Sequence, residues 1–173
     1  MPLAPITRSR GEPVRLCSPW DSAIDTAATG AEALRRYRDL DDLDTSALVF
    51  SAEPTWFTLQ ALGPREMARV RALLPPNPYP GDDAYKELDV DAREEVDRET
   101  GVWLGEAFAA QLRFGLVTVE GLPGWSPERA KWMGVRCWSD DAIWSLGANV
   151  VSWLGAALHA LSTLAEKKSS SSG

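Results

Sequence analysis

The spacing of apolar residues changes several times along the chain, and each change predicts an element. Leu34 and Tyr37 share a helical face behind Thr29-Gly30-Ala31-Glu32, the spacing of a capping box in which hydroxyl and carboxylate satisfy free backbone amides reciprocally. A helix ending near Leu40 follows from this. Between Ala47 and Leu62 the pattern turns extended: Leu48 and Phe50, a turn at Ala52-Glu53-Pro54, then Trp56 and Phe57 leading into Thr58, Leu59 and Leu62. Aromatic and β-branched residues around a Glu-Pro turn predict a small β-hairpin or a pair of short strands. Gly63-Pro64 then opens a helix, with Pro64 where its missing N–H removes no bond and Met67, Val70 and Leu74 on one apolar face. The run from Pro75 to Gly81 ends that helix.

From Asp82 the period is helical again, with Tyr85, Leu88, Ala92, Val96, Trp103, Ala107 and Phe114 recurring at spacings near three, four and seven. Gly101 and Gly105 weaken its middle, so the segment forms one long helix or two. Phe114 to Val119 either extends it or forms a short strand before Gly121-Leu122-Pro123-Gly124. A final helix starts at Ser139, an N-cap followed by Asp140 and Asp141, and reaches about Ala165. Its apolar stripe holds Ile143, Leu146, Val150, Trp153, Ala157, Leu161 and Leu164. A mildly polar stripe holds Ser145, Asn149, Ser152, Ala156, His159 and Thr163.

These elements predict a mainly α protein with a small β-hairpin, an α+β fold with a helical C-terminal half. The chain divides into an extended Pro/Arg-rich arm (1–20) with a short strand at Val14 to Cys17, and a small α+β module with the hairpin (21–74). A Pro-rich connector (75–83), a helical module (84–166) and a polar tail (167–173) complete it.

The net charge of −7 and pI of about 4.8 argue against a surface that tracks nucleic-acid phosphates. Nine acids against Lys86, Arg93 and Arg98 fall between Asp82 and Glu99, which reads as a solvated helix face or a docking strip for a basic partner. Cys17 and Cys137 lie far apart in dissimilar surroundings and read as free thiols of a reducing compartment. The N-terminus carries no apolar signal core, which points to a cytoplasm. No residue from Ala142 to Ala165 is fully charged, a length sufficient to span a bilayer. Asn149, His159, the serines and Thr163 would be costly at depth, so a buried or partner-packed helix is favoured over membrane attachment.

Catalytic machinery is hard to assemble from these residues. His159 is the sole histidine, on a small-residue face, and neither a triad nor a zinc site can be built around it. Asp39, Asp41, Asp42 and Asp44 lack the central glycine and closing glutamate of a calcium loop. Gly121-Leu122-Pro123-Gly124 has neither the lysine nor the hydroxyl of a phosphate-binding loop. The expectation is no catalytic, cofactor-binding or metal-binding residue. What the chain has instead is eight tryptophans, six of them from Trp103 to Trp153. Trp125, Trp132 and Trp138 occupy a Pro/Gly-interrupted segment that cannot bury every ring on a regular stripe, and are expected to contact a partner. Arg8, Arg10 and Arg15 of the arm would suit the acidic face around Asp89 to Glu99 of an adjacent copy.

The order of elements carries a resemblance. A hairpin carrying Pro54-Thr55-Trp56-Phe57-Thr58-Leu59, a helix opening at Gly63-Pro64, an acidic linker, a helix ending in Phe114-Gly115-Leu116-Val117-Thr118-Val119-Glu120-Gly121, and a closing helix with Leu161-Ser162-Thr163-Leu164 resemble morphogenesis proteins of tailed bacteriophages. Tail assembly chaperones are the nearest named family, and the likeness spans residues 47–166. It implies no catalysis, and binding to phage structural proteins and to other copies of the chain, in the virion or in the host cytoplasm during assembly. Such a protein is either retained as a minor structural component or released as a transient chaperone.

Overall fold

A computed structural model describes residues 12–125 and 127–170, with side chains through Thr163. The chain runs β1 (Val14–Cys17), α1 (Thr26–Thr29), α2 (Ala31–Arg38), a 3-10 turn (Thr45–Ala47), β2 (Trp56–Leu59), α3 (Pro64–Leu73), α4 (Asp82–Lys86) and α5 (Val90–Gly115). It continues through β3 (Leu116–Glu120), β4 (Arg129–Trp132), β5 (Val135–Trp138), α6 (Asp140–Trp144) and α7 (Ala148–Ser170). The fold is α+β, mainly helical, with two small antiparallel sheets. No helix among the described residues is long and apolar enough to cross a membrane.

The three-stranded sheet has the order β1-β2-β3 and gathers strands from distant parts of the chain, with Val14 opposite Leu59 and Trp56 opposite Glu120. Only one strand forms between Ala47 and Leu62, so the expected local hairpin is replaced by long-range pairing. Phe50 instead makes an isolated bridge with Ile24. Alternation explains the sheet: Val14, Leu16, Phe57 and Leu59 point into the core, while Arg15 and Thr58 point outward. On the outer face the Arg15 guanidinium lies 4.3 Å from the Trp56 ring centre and 2.8 Å from Glu120. Residues 14–20 are thus built into the fold rather than forming a free arm. One core takes residues from Val14 to Leu161, so the segments expected as separate modules share a single interior.

The capping box at Thr29 does not form. Asp25 caps α1, Gly30 precedes α2, and the Thr29 hydroxyl accepts from the Val49 amide at 2.9 Å. The helix at Pro64 forms as expected, with the Glu66 carboxylate accepting from the Gly63 amide at 3.1 Å. Gly101 and Gly105 leave α5 unbroken over 26 residues, because Asp89 caps it and its second half is packed against α7, α6 and β5. The closing segment, expected as one helix, is two: Ser139 caps α6, and the chain turns at Gly147, whose φ of 91° only glycine adopts readily. The local hairpin lies elsewhere, where Met133 and Gly134 (φ 47° and 76°) join β4 to β5 in a two-residue turn.

The packing centres on α5 against α7. A Cβ placed on Gly155 would fall 2.2 Å from the Phe108 Cβ, so α7 can lie this close to α5 only because that position is glycine. Polar ties lock the assembly at its edges. The buried Tyr37 hydroxyl donates to the Cys17 carbonyl at 2.8 Å and accepts from the Cys17 amide at 3.1 Å. The Trp153 indole donates to the Arg38 carbonyl at 2.9 Å, and Ser162 accepts from the Leu62 amide at 2.9 Å. Each tie satisfies a polar group whose burial would otherwise cost about 1–3 kcal/mol.

Candidate functional site

The Pro-rich connector that leaves α3 is fixed to α5, because the Trp103 indole donates to the Pro75 carbonyl at 2.9 Å. Pro75 and Pro76 line the space between α3 and α5. A groove of about 560 Å³ opens between them, with Val70, Ala107 and Gln111 deep inside it and Met67, Leu74, Trp103, Leu104 and Phe108 along its sides. Arg71 stands on the α3 side, and His159 of α7 closes one end. Beyond Trp103, a second recess of about 310 Å³ is lined by Pro75, Pro78, Val102, Arg98, Glu99 and Glu106. Trp103 is therefore a shared wall.

Gln111 is the unusual residue of the groove. It is 5% exposed, it lines the cavity, and its Oε1 has no hydrogen-bond partner among the described residues. A buried acceptor left unmade costs about 1–3 kcal/mol, so a core position would ordinarily be leucine or methionine. Thr100 Oγ1 and Trp132 Nε1 are the other buried side-chain atoms without a partner among the described residues. Neither lines the groove.

The expected partner-contact tryptophans are placed differently. Trp138 belongs to the core: it is 4% exposed, its indole donates to the Leu116 carbonyl, and the Arg129 guanidinium covers its ring at 3.3 Å. Burial and the nearby Arg136 lower the Arg129 pKa. Trp125 is half-buried, stacks on Trp138 with ring centres 5.1 Å apart and donates to the Ala142 carbonyl at 3.3 Å. Trp125 also borders a polar depression of about 540 Å³ with Glu128 and Asp141. Trp132 sits at the opposite end of the hairpin from Trp138, beside the turn. The three rings thus form no common surface. A regular two-strand hairpin let Trp138 reach the interior, which the Pro/Gly-interrupted sequence before it did not suggest.

Arg15 is paired with Glu120 and lies over Trp56 of its own sheet. Arg8 and Arg10 lie outside the described residues. The acidic stretch is solvated in part, with Arg98 paired to Glu95 and the Tyr85 hydroxyl donating to Asp97. Among the described residues no group of three or more His, Cys, Asp or Glu could hold a metal ion. Cys17 and Cys137 are free and buried, and burial pushes the Cys17 thiol up to about 11.

The groove has a signal in the sequence that periodicity alone passed over. Trp103, Ala107 and Phe114 mark the apolar stripe of α5, and Gln111 interrupts it at the position where the next apolar residue belongs. Comparison with protein-family models, curated proteins and solved structures found no match.

Proposed function

We propose that the chain is a non-catalytic morphogenesis protein of a tailed bacteriophage, acting by binding other virion or tail proteins, with the α3–α5 groove as its docking surface. One observation carries the docking assignment: a groove of about 560 Å³, lined mostly by apolar side chains, lies open between α3 and α5. Apolar walls supply area and the few polar side chains among them, Arg71, Gln111 and His159, supply orientation, the combination by which polypeptide and ligand sites gain specificity. The phage assignment is supported by the sequence motifs within residues 47–166 described above. In this reading the partners are phage structural proteins and other copies of the chain, and the protein stays in the particle as a minor component.

Mass spectrometry of purified virions and of tail precursors tests the reading. The protein is expected in the particle at a reproducible copy number. Recovery from precursors alone would make it a transient chaperone. Recovery with lipid, or with neither fraction, would overturn the proposal.

A further inference from the structure

The hairpin of β4 and β5 carries two locally unfavourable features on its surface. Met133 adopts a φ of 47° in the two-residue turn, a left-handed conformation that glycine, asparagine or aspartate takes readily and methionine takes at a cost. The residue is also 67% exposed, so no burial within the chain offsets that cost. Behind it, Lys131 stands directly opposite Arg136 in the strand register, both exposed, and like charges so placed repel. No ion pair relieves them among the described residues, although the chain has 25 acids against 18 Lys and Arg. Of the carboxylates at the base of the hairpin, Glu128 accepts from the Ser139 hydroxyl, and Asp140 and Asp141 open α6. A tip that only closed a turn would favour Asn-Gly and charges of both signs.

Resting on the reading that copies of the chain bind one another, we propose that Met133, Lys131 and Arg136 of one copy dock on the exposed face of α5 around Val102 in the next. At roughly 3.6 residues per turn, Asp91, Glu95, Glu99, Val102 and Glu106 share one side of that helix, and all five are exposed. Arg98, on the same side, is already paired with Glu95. Val102 is 62% exposed, with Glu99 three residues before it and Glu106 four after it. An apolar residue between two carboxylates thus faces an apolar residue flanked by two cations. Glu99 and Glu106 lie about 10 Å apart along the axis, a span that two long cationic side chains on strands about 5 Å apart can bridge. Within one chain the two sets do not meet. The hairpin is tied to α5 at Arg113, whose Nε donates to the Trp138 carbonyl at 3.0 Å, and that point lies about 20 Å along the helix from Glu99.

Sedimentation velocity of the full chain across a concentration series, at low salt and at about 0.5 M salt, tests this. The wild-type chain is expected to self-associate at low salt, with an affinity about tenfold weaker at high salt. Lys131→Glu/Arg136→Glu and Glu99→Lys/Glu106→Lys should each stay monomeric. An equimolar mixture of the two should associate again, because the reversed hairpin of one matches the reversed helix face of the other. Met133→Gly should weaken association about fivefold while raising the urea midpoint, since glycine relieves the turn. A residue serving only the turn would give the second effect without the first. Urea midpoints check that the charge variants fold, and Lys131→Gln/Arg136→Gln and Glu99→Gln/Glu106→Gln replace any that do not. A chain that is monomeric throughout, association unchanged by either reversal, or a mixture that does not recover would overturn the contact. So would loss of association in Leu104→Glu, which assigns it to the groove, or binding of a DNA duplex that the hairpin reversal abolishes, which makes the tip a phosphate-binding surface. Recovery of the protein from virions is decided separately, so the role proposed above can stand when this contact fails.

Discussion

The two flanks of α5 are built from similar residues and end in opposite states. Toward α7 the surfaces close completely: Gly155 lies under Phe108, and Leu154, Ala157 and Leu158 have no exposure. Toward α3 a groove remains, walled in part by Trp103, Pro75 and Pro76, with the buried Gln111 in its lining. The sealed flank holds the fold together. The open flank keeps apolar area for another molecule.

The largest expected effect lies on the sealed flank. Gly155→Val should drive its side chain into Phe108 and destabilise the protein by about 3 kcal/mol in urea unfolding. Combined with Phe108→Ala, the loss should be smaller than the sum of the two single losses. Strict additivity would show that the two helices do not meet there. The sealed interior reaches Cys17, where the thiol is held up near 11 by burial against an ordinary value of 9.0. The neutral thiol is favoured in the fold, so this contribution is whole below about pH 9 and is lost as the pH climbs toward 11. Tyr37 is shifted in the same direction from a higher starting point. Stability should therefore begin to fall just above pH 9, and Cys17→Ala should flatten that first part of the decline in denaturation curves taken across this range.

The open flank should respond with the opposite sign. Gln111→Leu replaces a buried unpaired acceptor by a side chain of similar size, and should raise stability by about 1 kcal/mol. A loss of stability would mean that Oε1 is satisfied in the free protein, and the contrast between the flanks would fail. The smallest effect is expected outside both. Trp132→Phe removes a buried indole N–H without a partner and should change stability by no more than about 0.5 kcal/mol. A larger loss would give the hairpin tip a structural role.

Local signals in the chain read well, and long-range ones did not. Pro64 at a helix start and Ser139 as a cap follow from nearest-neighbour chemistry, and the structure has them; the two stripes expected of one closing helix hold in α7 from Val150 to Thr163, beyond the break at Gly147. The partner of β2 could not be read, because Trp56-Phe57-Thr58-Leu59 pairs with residues some forty positions before it and sixty after it. Alternation specifies which face is buried but not which strand lies alongside. Thr29 failed as a cap because Val49, brought in by the same folding, offered its amide instead. The candidate site was least legible. Its walls come from α3, the connector and α5, so Gln111 looks like an ordinary polar interruption until the elements are placed together.

The contrast between the flanks rests on Leu104 belonging to a binding surface, and an equally exposed residue elsewhere provides the control. Leu104 and Val49 are both 44% exposed, and only Leu104 lines the groove. Leu104→Glu and Val49→Glu should fold alike, with urea midpoints close to wild type. Quantitative mass spectrometry of virions assembled with each variant should then find Val49→Glu at the wild-type copy number and Leu104→Glu depleted at least tenfold, a loss of about 1.4 kcal/mol or more in binding. Equal incorporation of the two variants would contradict the account.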